Sequence, residues 1–331
     1  MNLLIPAPLV FFRILADRSG KPAALLIDIG GSEVDGDGVL ALLASPALAA
    51  LSSGFACFFQ AALEPALAAP LQAALWQPVA LDAICRIDAP LASVQLAPAV
   101  RWLDGDWCMA PPKCGGAQAA SRVQALDMVQ LIAADADTCD IEALLRRDPT
   151  LSYNLLRLVN SPGVGNGRRI TSFLQALLLL GRQQLGRWLN LVVFAARGDD
   201  TRSAMLLARV ALRARAIELL AKSSGLDKHT QDQSFMAGMF SLLGVLFGMP
   251  LAEVLAPLAL GEALQGALLR REGELGALLR LFETAEQGEL DGAGIQLAAL
   301  QVGHAAFNQA MVDAASWMQD ALRDNGGASH G

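Results

Sequence analysis

The stretch LRRDPTLSYNLLRLVNSPGVGNGRRI, Leu145 to Ile170, has a sharp start, an apolar periodic middle and an abrupt stop. Asp148 can cap a helix, because its carboxylate accepts from free N–H groups at the positive end of the helix dipole. Pro149 at the first helical position loses no needed donor. Leu151, Leu155, Leu158 and Val159 then fall on one face at helical spacing. Asn160 and Ser161 precede Pro162, which disfavours helix in the residue before it. The glycines of GVGNG suit a turn with positive φ, and Thr171 or Ser172 can cap a following helix. The stretch predicts helix, tight turn, helix.

Its charges are one-sided. From Pro149 to Gly198 the chain carries Arg157, Arg168, Arg169, Arg182, Arg187 and Arg197 and no acidic residue. In a chain of formal net charge −7 this is a local basic field, suited to an anionic partner or phosphate group. A helix-turn-helix reader of DNA is disfavoured. Ala176 and Gly181 in QALLLLGRQQLGRWL lie five residues apart, where that motif separates its alanine and glycine by four, and the whole chain is acidic.

The chain has 331 residues, 54% hydrophobic and 17% charged, with a mean hydropathy of +0.41. That length allows more than one domain. Two uncharged runs, Gly38 to Leu63 and Gln233 to Ala252, are long enough to span a bilayer. Serines, glycines and prolines interrupt them, and no basic cluster flanks the second; they read as buried segments. The start, MNLLIPAPLVFFRILADRSG, lacks the basic region and cleavage site of a signal peptide. A cytoplasmic protein without a membrane span is expected. Cys57, Cys85, Cys108, Cys114 and Cys139 are odd in number and without CxxC spacing, so they predict neither a disulfide framework nor a zinc site.

Residues 1–115 read as a small α/β domain. PLVFFRILADRSGKPAALLIDIGG holds two apolar extended runs about a Ser-Gly-Lys-Pro turn, which predicts a hairpin. An Ala/Leu/Pro-rich part follows, with helices cut short by Pro46, Pro65, Pro70 and Pro78. Asp28, Glu33, Asp35 and Asp37 lack the closing carboxylate of a calcium loop, so an exposed acidic turn is expected. Residues 116–325 read as helical, with breaks near 161–167, 181, 198–202, 223–227, 248–250 and 288–294. Residues 326–331 read as a flexible tail. The fold class expected is mainly α.

DPTLSYNLLRLVNSPGVG, ITSFLQALLLLGRQQLGRWL and SFMAGMFSLLGVLFGMPLAEVL, in that order, resemble the HDOD family, non-catalytic relatives of the HD and HD-GYP phosphohydrolases. The arrangement is most similar to the HDOD half of bacterial EAL–HDOD signalling proteins, in which a cyclic-di-GMP phosphodiesterase-type EAL domain, often degenerate, comes first. WLDGDWCMAPP is similar to that domain's closing segment. The region before it is short and has no Glu-Ala-Leu triplet, so no EAL catalytic residue is carried over.

A catalytic HD site needs metal ions held by several histidines and aspartates, among them an adjacent His-Asp pair, to make a nucleophilic hydroxide. In AGMFSLLG the two positions of that pair are Ser241 and Leu242, which cannot replace it. The histidines are His229, in a polar turn, His304, on a helix, and His330, in the tail. No metal, cofactor or catalytic residue is expected, and the chain reads as a non-enzymatic signal-transduction module. Its HDOD domain would bind a signalling or regulatory protein, or a nucleotide. Asn160 and Ser161 at the helix end, with Arg168 and Arg169 in the turn, are the candidate contacts. The alternative is a degenerate EAL-type protein that binds a cyclic dinucleotide without hydrolysing it.

Overall fold

The structure is a computed structural model that describes residues 8–30, 36–111, 200–256 and 260–326. The opening stretch, with Asn160, Ser161, Arg168 and Arg169, lies outside the described residues, as do the 115/116 division and residues 327–331 of the expected tail.

The two extended runs form the expected antiparallel hairpin, β1 (Leu9–Ala16) and β2 (Pro22–Gly30), in register from Leu9 opposite Gly30 to Leu15 opposite Ala24. The Asp17 carboxylate shapes the turn, accepting from the N–H groups of Ser19 and Lys21 at 2.8 and 3.0 Å. Four shorter strands follow: β3 (Ala56–Gln60), β4 (Gln77–Val79), β5 (Ile84–Arg86) and β6 (Trp102–Asp104). The sheet order is β4-β3-β2-β1-β6-β5, and β1 alone runs against the other strands.

This sheet curls. The rings of Phe58 on β3 and Trp102 on β6 lie 5.3 Å apart, although three strand spacings, about 14 Å on a flat sheet, separate their strands. Leu15, Ala24, Leu26 and Val79 close the inside of the curl. Residues 80–83 carry the chain from β4 on one edge to β5 on the other, in the same sense. So short a connection cannot make parallel neighbours, which need a crossover.

On the outside lie α1 (Gly36–Leu43), α2 (Pro46–Leu51) and α3 (Pro65–Ala73). Pro46 and Pro65 start helices instead of ending them, and Pro70 is tolerated inside α3. Asp28 is not in an exposed turn; it belongs to β2 and is half-buried.

Every described element from Ser203 onward is a helix: α4 (Ser203–Ser223), α5 (Lys228–Phe240), α6 (Leu243–Phe247), α7 (Leu251–Leu255), α8 (Glu262–Arg270), α9 (Gly273–Glu286), α10 (Leu290–Ala299) and α11 (His304–Gly326). The expected class, mainly α, is corrected to mixed α/β. A sheet of six strands stands where sequence periodicity marked only a hairpin; three of the four further strands have only three residues, too short to show alternation. Among the described residues no helix is long and apolar enough to cross a membrane.

The sheet and the helices share one hydrophobic core, which runs from Leu9 and Phe12 through Leu206 and Phe240 to Phe307 and Met318. Helix α11 is its centre, packed on β1 and α2 and against α4. Asn308 of α11 acts as a substitute strand partner: its Oδ1 accepts from Val10 N–H at 2.8 Å and its Nδ2 donates to Pro8 O at 2.9 Å. Gln319 donates to Leu51 O at the end of α2, at 2.9 Å.

Among the described thiols, Cys57 and Cys108 are buried and Cys85 is half-buried. Burial pushes the Cys57 thiol up to about 12 and raises that of Cys108. Because the thiolate is the nucleophile, N-ethylmaleimide at pH 8 should modify Cys85 well before Cys57 or Cys108. Peptide mass spectrometry checks this, and comparable labelling of Cys57 and Cys85 would contradict the burial.

Candidate functional site

In sheets of parallel strands, ligands bind beyond the carboxyl ends of the strands. β2, β3, β5 and β6 end together here, and an open cleft of about 550 Å³ lies at that end. Its sheet wall includes Arg13, Asp28, Gln60 and Arg86; it is also lined by Glu286 at the end of α9, Gln287 in the α9–α10 turn and Asp291 at the start of α10. A smaller inner cavity, also bounded by Arg13, Arg86 and Glu286, continues to Asp104 and to Arg209 of α4.

Arg13 is the one charge in the apolar strand LVFFRILA. Its Nε and Nη2 donate to the two oxygens of Asp28 at 2.5 and 2.9 Å, and its Nη1 donates to Asp104 at 2.5 Å. Burial disfavours the guanidinium charge, but the bonds and charges of Asp28 and Asp104 outweigh that and raise the Arg13 pKa. Gln60 Nε2 donates to Asp28 at 3.3 Å.

Helix α4 supplies two arginines four residues apart, on one face. Arg209 donates to Asp106 at 2.8 Å and to Gly105 O at 2.7 Å. Gly105 has φ +93°, and a Cβ there would lie 2.6 Å from Ile87 O, so only glycine fits this turn. Arg213 is 4% exposed, and its Nε and Nη2 donate to the Glu286 carboxylate at 2.9 and 2.5 Å.

The remaining Arg213 nitrogen, Nη1, donates to Ser241 Oγ at 2.7 Å. Ser241 follows the last residue of α5, and its hydroxyl donates to Gly238 O at 2.7 Å. The contact depends on Gly238: a Cβ there would come within 2.4 Å of Ala214 Cα, so α5 crosses α4 at backbone distance. Leu242 is buried at 3% exposure. The two positions that the sequence reading aligned with an HD pair thus hold a hydroxyl bound to an arginine and an apolar side chain. Among the described residues no cluster of His, Cys, Asp and Glu could hold a metal ion.

Arg86 is the cation with most reach. Its side chain is 63% exposed, and it makes a 3.4 Å contact with Asp88. Glu64 and Asp291 are exposed carboxylates on the rim of the cleft. Apart from Ser241 and Leu242, and Asp28 as part of an expected acidic turn, sequence reasoning missed these residues. The available signals were Arg13 inside an apolar strand and Arg209 and Arg213 within an apolar helix.

Residues 121–254 match the HDOD domain, so an HDOD domain is present, and α4, α5 and α6 lie inside the match. Among curated proteins, the chain is 33% identical over 192 residues to a Vibrio cholerae protein named cyclic di-GMP phosphodiesterase CdgJ, covering 57% of this chain and 43% of that one. It is 29% identical over 151 residues to the uncharacterized protein YuxH of Bacillus subtilis, covering 44% of this chain and 36% of that one. The chain therefore spans about two fifths of the length of these curated relatives. No solved structure matches it. The sequence reading of a non-enzymatic chain is overturned by the name of the Vibrio relative, which points towards enzymatic activity. The expectation that Ser241 and Leu242 stand where a metal-binding pair would be bears on that position alone and not on the sheet cleft.

Proposed function

We propose that the protein acts in cyclic-di-GMP signal transduction and takes a cyclic dinucleotide in the cleft at the carboxyl end of the sheet. The observation that carries this reading is the composition of the cleft, with one wall from the sheet and further lining from the end of α9, the turn after it and the start of α10. The chemistry is complementary. Guanine presents N–H donors that suit exposed carboxylates such as Glu64 and Asp291, and phosphodiester oxygens suit Arg86. The short sheet region reads as a reduced EAL-like unit, on the likeness of WLDGDWCMAPP to an EAL closing segment.

The HDOD domain serves as the regulatory half and engages a signalling protein. Arg168 and Arg169 are assigned to that contact from their place in a basic turn of the sequence. A double alanine variant at these positions should melt within a few degrees of the parent if, as their glycine-bearing turn in the sequence predicts, the side chains reach solvent, where substitutions usually cost less than about 0.5 kcal/mol. It should also capture, more slowly and with less salt dependence, a signalling protein recovered with the parent chain from cells. Normal capture would remove these residues from the partner surface.

Titration calorimetry with cyclic-di-GMP in the presence of magnesium tests the ligand, and chromatography of the same samples reads any opening of the ring. Saturable binding that Arg86→Ala weakens by about tenfold, the loss of one charged hydrogen bond, is the expected result. No heat and no thermal shift at millimolar ligand would refute it.

A further inference from the structure

The geometry points to Ser241 as a positioning residue for the cleft: it fixes Arg213, and through Arg213 it fixes the Glu286 carboxylate in the cleft wall. Its bearing on ligand binding rests on the reading of the cleft as the ligand site.

The Glu286 carboxylate is 25% exposed, so it needs an anchor to hold one orientation at the mouth of an open cleft. Arg213 supplies that anchor from behind through two parallel hydrogen bonds, a geometry that fixes a carboxylate plane. The guanidinium is itself buried and planar, and its third nitrogen has to be held for the fork to keep its angle. Ser241 Oγ does this at 2.7 Å.

The serine hydroxyl is suited to the task. Its single proton goes to Gly238 O, which turns a lone pair towards Arg213. An alanine would leave a buried N–H of a charged group without its acceptor. A threonine would restore it. The chain Ser241–Arg213–Glu286 thus joins the end of α5 and the middle of α4, consecutive helices, to the end of α9, which lies well apart from them in sequence. A position that the sequence reading aligned with an HD pair supports a wall of the neighbouring cleft instead.

Nuclear magnetic resonance on the full chain tests this without a ligand. In Ser241→Ala the Arg213 Nε–Hε signal should exchange faster with water, and the side-chain carboxyl carbon of Glu286 should shift. Ser241→Thr should return both signals to their parent positions. A general loss of stability would lower the melting temperature without moving the Glu286 carbon selectively. Unchanged Arg213 and Glu286 signals in a folded Ser241→Ala variant would overturn the proposal.

Cyclic-di-GMP provides the second readout. Its affinity should fall by about fivefold in Ser241→Ala, a fraction of one charged hydrogen bond, and recover in Ser241→Thr. Moved signals with unchanged affinity would refute the functional half. A parent protein that does not bind cyclic-di-GMP would refute the ligand named above, while the two signals would still decide the role of Ser241.

Discussion

A chain ended at Gly303, ahead of α11, should show no cooperative thermal transition by circular dichroism. Helix α11 contributes Phe307, Met311, Val312, Met318 and Leu322 to the shared core, each at most 8% exposed. At roughly 2 kcal/mol per buried side chain their burial is worth on the order of 10 kcal/mol. The whole stability of a protein is about 5–15 kcal/mol, so the loss is of the same size as the total. Truncation would also bare β1 and remove the Asn308 bonds that hold its first residues. For the same reason residues 116–325 expressed alone should aggregate, since the face of α11 that covers β1 would meet water. The sequence reading, with its expected division at 115/116, predicts a folded helical fragment instead. A sharp, reversible melt of either fragment would show that the two parts do not depend on a common core.

The second large effect is an asymmetry across one ion pair. Glu286→Ala should destabilise the protein by about 3 kcal/mol or more, because it strips the carboxylate from a guanidinium that is 4% exposed. Arg213→Met should cost less. It leaves a carboxylate 25% exposed, which water can reach, and it fills the space with an apolar chain. The attraction of Glu283 for Arg213 will soften the first loss without removing it. Urea denaturation of the two variants measures the difference, and equal midpoints would mean that burial of Arg213 carries no electrostatic cost.

Local signals in the sequence survived into the structure. The β1–β2 hairpin has its turn at Asp17–Lys21, and breaks near 223–227 and 248–250 fall between α4 and α5 and between α6 and α7. Ser241, which the sequence also singled out, follows the last residue of α5 and accepts from Arg213. The break between α8 and α9 was not among the breaks expected: α8 is capped by Arg271, at φ +58°, and a positive-φ glycine, Gly273 at +65°, comes only two residues later. At the cap an arginine takes the place usually marked by glycine, and its guanidinium donates to Leu268 O and Glu283. The cleft was hidden for a different reason. Its parts meet across the chain, as in Arg13 with Asp104 and Arg213 with Glu286, and no spacing rule within one element reports such pairs.

Hydrogen–deuterium exchange of the full chain with and without cyclic-di-GMP gives the most direct test of the cleft. Ligand should protect residues 27–30 and 60–64 of the sheet wall together with 286–291 of the helical wall. Protection confined to the helices, or none in these three segments at a saturating concentration, would contradict it.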